Sequence, residues 1–84
     1  SNRKSWFIRV GSFSEKANAK NLLKKLKLIK YQAYIVKINK DNKNLYAVNV
    51  GPYFLASNAK KSYLALVKKK NYSNAYIVES NFKK

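Results

Sequence analysis

Few residues of this sequence could carry out catalysis. The chain has no cysteine and no histidine, so it lacks a thiol or imidazole to act as nucleophile, general base or metal ligand. Its three carboxylates, Glu15, Asp41 and Glu79, are scattered over the predicted elements. A carboxylate pair that cleaves a glycosidic bond must instead lie within about 5–10 Å. We therefore expect a binding module that is not an enzyme and that uses no cofactor and no metal ion.

The charge of the chain is strongly one-sided. Nineteen lysines and arginines against three acids give a formal net charge of +16 over 84 residues. A chain of this charge attracts polyanions of any kind, with a strong salt dependence. Most of the lysines fall on the predicted helices and in one turn, where we expect a solvated outer surface. These lysines do not indicate which ligand the chain recognises.

An internal duplication organises the chain. Val10-Gly11 returns as Val50-Gly51 at an offset of 40, and Ala33-Tyr34-Ile35-Val36 returns as Ala75-Tyr76-Ile77-Val78 at an offset of 42. Each half has the pattern of a strand, a helix and a strand. The order β-α-β-β-α-β predicts an α+β fold, in which a four-stranded antiparallel sheet carries two helices on one face, as in ferredoxin-like folds.

The predicted domain covers residues 5–79. It contains, in order, a strand over 6–10, a helix capped by Ser14, a strand over 31–38, a polar hairpin turn, a strand over 45–50, a helix over 57–70 and a strand over 75–78. Residues 1–4 and 80–84 are expected to be flexible ends, with Ser1-Asn2 a candidate cloning remnant. No apolar run approaches the ~18–20 residues of a membrane span.

Alternation along the strands assigns side chains to the two faces of the sheet. The residues predicted to face the helices are Trp6, Ile8, Val10, Ala33, Ile35, Tyr46, Val48, Val50, Ala75 and Ile77. The residues predicted to face away are Phe7, Arg9, Tyr34, Val36, Leu45, Ala47, Asn49, Tyr76 and Val78. Aromatic rings with a cation among them on an uncovered sheet face indicate a binding surface.

Two segments of the chain resemble a known family. Phe7-Ile8-Arg9-Val10-Gly11-Ser12-Phe13 with Asn18-Ala19, and Tyr46-Ala47-Val48-Asn49-Val50-Gly51-Pro52-Tyr53 with Asn58-Ala59, resemble the SPOR domain. The resemblance implies a non-catalytic module that binds bacterial peptidoglycan and prefers glycan strands without stem peptides. It also implies targeting of a parent protein to the division septum, on the periplasmic or cell-envelope side. The implied partners are glycan strands and other division proteins, with the membrane reached only through an anchor outside this sequence.

The resemblance gives the outward residues specific roles. Sugar rings would stack on Phe7 and Tyr76, and Ser12 and Asn49 would form hydrogen bonds with sugar amides and hydroxyls. Arg9 would bind the lactyl carboxylate of a muramic unit.

Three positions depart from the family pattern. The family usually has glutamine at the position of Arg9, and often an aromatic residue and an arginine at the positions of Leu45 and Ala47. The third strand therefore lacks a stacking ring and a cation. Either Arg9 replaces the lost charge, or the affinity is lower, or the specificity differs.

Two other kinds of binding module share the predicted architecture. A single-stranded RNA-binding domain of the RRM type has the same strand order and an aromatic sheet face. Its third-strand signature requires a glycine and outward aromatic residues, whereas this chain has Leu45 and Ala47 there, so nucleic acid is the weaker hypothesis. A protein–protein docking domain that uses the same face is the second alternative.

Overall fold

The computed structural model describes residues 2–83. The elements, in chain order, are β1 (Asn2–Phe13), α1 (Lys16–Leu28), β2 (Ala33–Lys40), β3 (Lys43–Tyr53), α2 (Ala56–Val67) and β4 (Tyr76–Lys83), with a 3-10 turn over Lys70–Tyr72. Within these residues the strands form one antiparallel sheet in the order β2-β3-β1-β4. The predicted α+β fold with a duplicated β-α-β unit is confirmed.

The duplication is also visible in the strand pairing. Arg9 of β1 lies opposite Asn49 of β3, and these two positions are repeat equivalents at the offset of 40. Tyr34 of β2 lies opposite Asn49, and its equivalent Tyr76 of β4 lies opposite Arg9. An approximate two-fold axis therefore passes through the sheet between Arg9 and Asn49.

The hydrophobic core lies between the two helices and one face of the sheet. Leu26 of α1 and its repeat equivalent Leu66 of α2 are fully buried, as are Ile8, Val48 and Val50 of the central strands. These apolar side chains supply most of the driving force for folding, since burying each contributes about 1.5–3 kcal/mol. The alternation correctly predicted the inward strand residues, with one correction. Trp6 is half-buried and lies outside the core cluster.

A bulge in β1 changes the alternation near its end. One extra residue stands between Arg9 and Gly11 relative to β3, so that Ser12 pairs with Ala47 and Phe13 with Tyr46. Ser12 therefore shares the sheet face of Ala47, and Phe13 packs against the core. The bulge thus keeps Ser12 on the same face as Arg9.

A second irregularity in the β1–β3 pairing lies at Gly51. Trp6 pairs with Tyr53 and Ile8 with Val50, which leaves one extra residue in β3. Gly51 has a φ of +137°, a conformation that residues with a Cβ rarely adopt. A Cβ there would lie 3.2 Å from the backbone oxygen of Trp6, whereas a Cβ on Gly11 would meet the flexible Leu22 side chain at the same distance.

The ends of the chain are the main correction to the predicted elements. Residues 2–4 and 80–83, expected to be flexible, extend β1 and β4, with Arg3 opposite Phe82 and Ser5 opposite Ser80. Aromatic packing of Phe82 on Phe54 accompanies this pairing, and backbone hydrogen bonds of the ladder fix the strand ends. Residues 1 and 84, which were also assigned to the flexible ends, lie outside the described residues.

The helices are shorter than predicted. Helix α1 begins at Lys16 after Glu15, and no side chain caps it, so the predicted cap at Ser14 is wrong. Helix α2 ends at Val67, because the chain then turns to bury the ring of Tyr72 in the core. Within residues 2–83, the helices fall short of the length and apolar character that a membrane span requires.

Candidate functional site

The face of the sheet opposite the helices is the candidate site, here called the open face. It comprises Arg3, Ser5, Phe7, Arg9 and Ser12 of β1, Tyr34, Val36 and Ile38 of β2, Leu45, Ala47 and Asn49 of β3, and Tyr76, Val78, Ser80 and Phe82 of β4. Both arginines of the chain lie on this face, whereas the other seventeen basic residues are lysines.

The three carboxylates of the chain lie elsewhere. Glu15 precedes α1, Asp41 is in the β2–β3 turn, and Glu79 shares the helix side of the sheet with Ile77. Glu79 forms an ion pair with Lys4 at 3.8 Å. The arginines of the open face thus have no acidic neighbour on that face to compete with an anionic ligand.

A row of four residues crosses the centre of the open face. It runs Tyr34, Asn49, Arg9 and Tyr76 across all four strands. The Nε of Arg9 donates a hydrogen bond to Oδ1 of Asn49 at 3.1 Å. The guanidinium carbon also lies 5.2 Å from the centre of the Phe7 ring, within the range of a cation–π contact. These two contacts fix the guanidinium through Nε and leave its two terminal nitrogens to form a fork for a carboxylate.

Two of the predicted site residues are beneath the surface. Asn49 is 1% exposed and Ala47 is fully buried, although both belong to the open face. Neither offers surface to a ligand in this structure, and the amide of Asn49 instead positions Arg9. Sequence alternation gives the face of a side chain but not the depth to which its neighbours cover it.

The other predicted site residues reach the surface in two groups. Arg9 and Tyr34 of the central row and the adjacent Phe7 are half-buried, whereas Tyr76 at the end of the row is 52% exposed. Ser12 is exposed and lies one row away, beside Ala47. Leu45 is half-buried four residues along β3 from Asn49, or about 13 Å at the usual strand rise. The structure therefore brings five of these side chains together, with Leu45 at the margin.

Sequence reasoning missed a second cluster on the open face, here called the end cluster: Arg3, Phe54 and Phe82. The guanidinium carbon of Arg3 lies 4.3 Å from the centre of the Phe54 ring. The Phe54 and Phe82 rings meet edge to face, with centroids 5.3 Å apart and planes at 89°. Continued alternation along β1 and β4 could have found Arg3 and Phe82, had the chain ends not been assigned as flexible.

A groove connects the end cluster to the central row. It has a volume of about 330 Å³ and is lined by Ser5, Phe7, Tyr34, Pro52, Ser80, Asn81 and Phe82. A larger groove of about 440 Å³ lies on the helix side and has Asn18, Asn71 and Lys25 in its lining. We favour the open face as the site, because only that face combines fixed guanidinium groups with aromatic rings.

The described residues contain no cluster of typical metal ligands. Among residues 2–83, no group of three His, Cys, Asp or Glu side chains is placed to hold a metal ion. The open face is instead suited to binding a flat, polar and anionic ligand through rings, hydroxyl groups and guanidinium forks.

Comparisons with known proteins agree with this architecture. A family model described as SPOR domain matches residues 2–79. The crystal structure of the RlpA SPOR domain from Pseudomonas aeruginosa superimposes with a TM-score of 0.72 at 20% identity, covering 87% of this chain and 96% of that chain. The solution structure of the peptidoglycan binding domain of the B. subtilis cell wall lytic enzyme CwlC gives 0.66 at 23% identity, covering 95% and 94%. A comparison with curated proteins finds no match.

Proposed function

The chain belongs to the SPOR domain family, as its paired Val-Gly segments predicted, and on that basis we propose that it is a non-catalytic peptidoglycan-binding module. The CwlC domain, which shares the fold, is described as peptidoglycan binding, and this description supports the proposal. The observation that carries it for this chain is that both arginines lie on a sheet face rich in aromatic rings and without a carboxylate.

The charge of the open face favours glycan strands that have lost their stem peptides. In an intact strand the lactyl carboxyl group of each muramic unit forms an amide bond with the peptide and carries no charge. Removal of the peptide by an amidase exposes a carboxylate at that position. The fork of Arg9 can bind a carboxylate through two parallel hydrogen bonds, which an amide carbonyl cannot accept in the same way.

The aromatic residues of the open face suit the sugar rings themselves. Phe7 and Tyr76 lie beside Arg9, Tyr34 lies at the other end of the central row beyond Asn49, and Tyr76 exposes half of its surface. The apolar face of a pyranose ring can stack on such a side chain, while the tyrosine hydroxyls reach the polar groups at the ring edge. Ser12 adds an exposed hydroxyl near the same row.

Binding to stripped strands would also determine where the chain acts. Amidases generate such strands at the division septum, so the module would concentrate its parent protein there. We propose a location on the periplasmic or cell-envelope side, where the ligand is, with any membrane anchor supplied by a segment outside this sequence.

Co-sedimentation with purified sacculi tests the proposal. The chain is mixed at physiological salt with intact sacculi, with amidase-treated sacculi, and with amidase-treated sacculi digested by a muramidase. We expect more chain in the pellet after amidase treatment and loss from the pellet after muramidase digestion. Equal binding to intact and stripped sacculi would refute the preference for stripped strands.

A competition arm separates this function from non-specific binding by a +16 chain. Single-stranded RNA is added in excess to the amidase-treated sacculi. Retention in the pellet supports carbohydrate recognition. Complete displacement by RNA, together with tight and sequence-dependent RNA binding, would instead support the RRM-type alternative.

A further inference from the structure

We infer that the end cluster of Arg3, Phe54 and Phe82 is a second binding subsite for the same ligand, occupied by a second carboxylate-bearing sugar of one glycan strand. This inference rests on the proposed function, because it takes the glycan strand as the ligand of the central row. It adds a minimum length for the ligand, because a strand must reach from Arg9 to Arg3 to occupy both sites.

Aromatic rings position the guanidinium of Arg3. Its guanidinium lies on the face of the Phe54 ring at 4.3 Å, and the Phe54 ring in turn packs edge to face with the Phe82 ring. Arg3 is exposed and forms no ion pair among the described residues, so its donors are available to an anion. A guanidinium stacked on a ring loses less conformational entropy on binding than a freely rotating one.

The open face is continuous between the two arginines. Arg3 and Arg9 lie six residues apart on the same face of β1, about 20 Å at the usual strand rise. The groove between them has Ser5 and Ser80 directly opposite each other in adjacent strands. An extended chain of sugar rings can therefore cross from one guanidinium to the other without leaving the open face.

The internal duplication does not account for the end cluster. Under the repeat offsets, Arg3 corresponds to Lys43, Phe82 to Lys40 and Phe54 to Ser14. Lys40 and Lys43 are paired in the β2–β3 hairpin just as Phe82 and Arg3 are paired in β4 and β1. The equivalent part of the sheet, at the β2–β3 hairpin, thus keeps a positive charge but has no counterpart of either aromatic ring. The ring-backed arginine is particular to one end of the open face.

Affinity measurements with stripped glycan oligosaccharides of increasing length test the inference. The proteins are the unmodified chain, the double variant Arg3→Gln with Phe82→Leu, and the matched control Lys43→Gln, which removes one charge at the equivalent part of the sheet. Both sites of the double variant are exposed, and circular dichroism and thermal unfolding verify that it folds.

We expect the unmodified chain and the control to bind long oligosaccharides about tenfold more tightly than short ones, the gain of one further charge-assisted contact. The double variant should keep the short-ligand affinity and lose the gain with length. The second subsite would be overturned if the affinity of the double variant rose with oligosaccharide length as much as that of the unmodified chain. It would also be overturned if the double variant lost affinity equally for short and long oligosaccharides. Failure of the unmodified chain to bind any oligosaccharide would instead refute the proposed function, and the inference with it.

Discussion

Replacement of Arg9 is the sharpest test of the central row. Its Nε bonds Asn49 and its guanidinium packs on Phe7, which leaves the fork toward solvent. We consider two replacements: Arg9→Ala removes the charge and the fork, and Arg9→Lys keeps the charge but has no planar fork. Lys24→Ala, on the exposed side of α1, changes the net charge by the same amount at a distance from the open face.

The magnitudes follow from the bonds that each replacement removes. A hydrogen bond to a charged group contributes about 1.5–3 kcal/mol, so Arg9→Ala should weaken glycan binding by about ten- to a hundredfold. Arg9→Lys keeps a point charge and should lose about 1 kcal/mol, or about fivefold. Lys24→Ala should stay within about twofold, because exposed charges at this distance are screened by salt.

The replacement also has a cost in stability, which sets the conditions of the assay. Truncating Arg9 leaves Oδ1 of the 1% exposed Asn49 without its donor, although water can enter where the side chain was. We expect a loss of about 1 kcal/mol, or about 4–8 °C in Tm for a domain of this size. Titration calorimetry well below that temperature, with amidase-generated glycan oligosaccharides, therefore measures binding by folded protein.

Binding of Arg9→Lys as tightly as that of the unmodified chain would refute the role of the fork, since a point charge would then be sufficient. A loss of affinity in Lys24→Ala as large as in Arg9→Ala would refute the role of the central row. That result would show that overall charge, and not the open face, determines the affinity.

Two further predictions concern other parts of the sheet. Leu45→Trp should tighten glycan binding by about fivefold, or about 1 kcal/mol, if the third strand binds weakly because it lacks a stacking ring at this position. An unchanged affinity in the same titration would contradict that explanation. Gly51→Ala should lower the free energy of unfolding by about 1–3 kcal/mol, because a φ of +137° and the backbone oxygen of Trp6 both oppose a Cβ. Gly11→Ala should cost less, since the Leu22 side chain can move; equal losses in urea unfolding would contradict this explanation.

Much of the fold was predictable, because two independent patterns agree in this sequence. The repeat offsets of 40 and 42 gave the order of the elements, and strand alternation gave the inward residues such as Ile8 and Val48. Apolar burial imposes the alternation, and the duplication repeats it in each half, so both patterns can be recognised without coordinates. The same alternation placed Arg9 and Tyr76 on one face, and the structure confirms that placement.

The remainder depended on contacts between residues far apart in sequence. The pairing of Arg3 with Phe82 joins the two ends of the chain, and local alternation can give the face of each residue but not their pairing. The burial of Asn49 likewise depends on neighbouring strands, because Arg9 and Tyr34 flank it on β1 and β2. Local sequence therefore predicted the face that Asn49 occupies, but not that Asn49 acts through Arg9.

The approximate two-fold axis between Arg9 and Asn49 has a consequence for the direction of a bound polymer. A glycan strand has distinct reducing and non-reducing ends, and a perfectly symmetric sheet would accept it equally well in either sense. Here arginine stands on one side of the axis and asparagine on the other, and the end cluster occupies one corner only. The two orientations of a strand on this sheet would thus be unequal in energy, and a protein that carries this domain would be held facing one way along the strand.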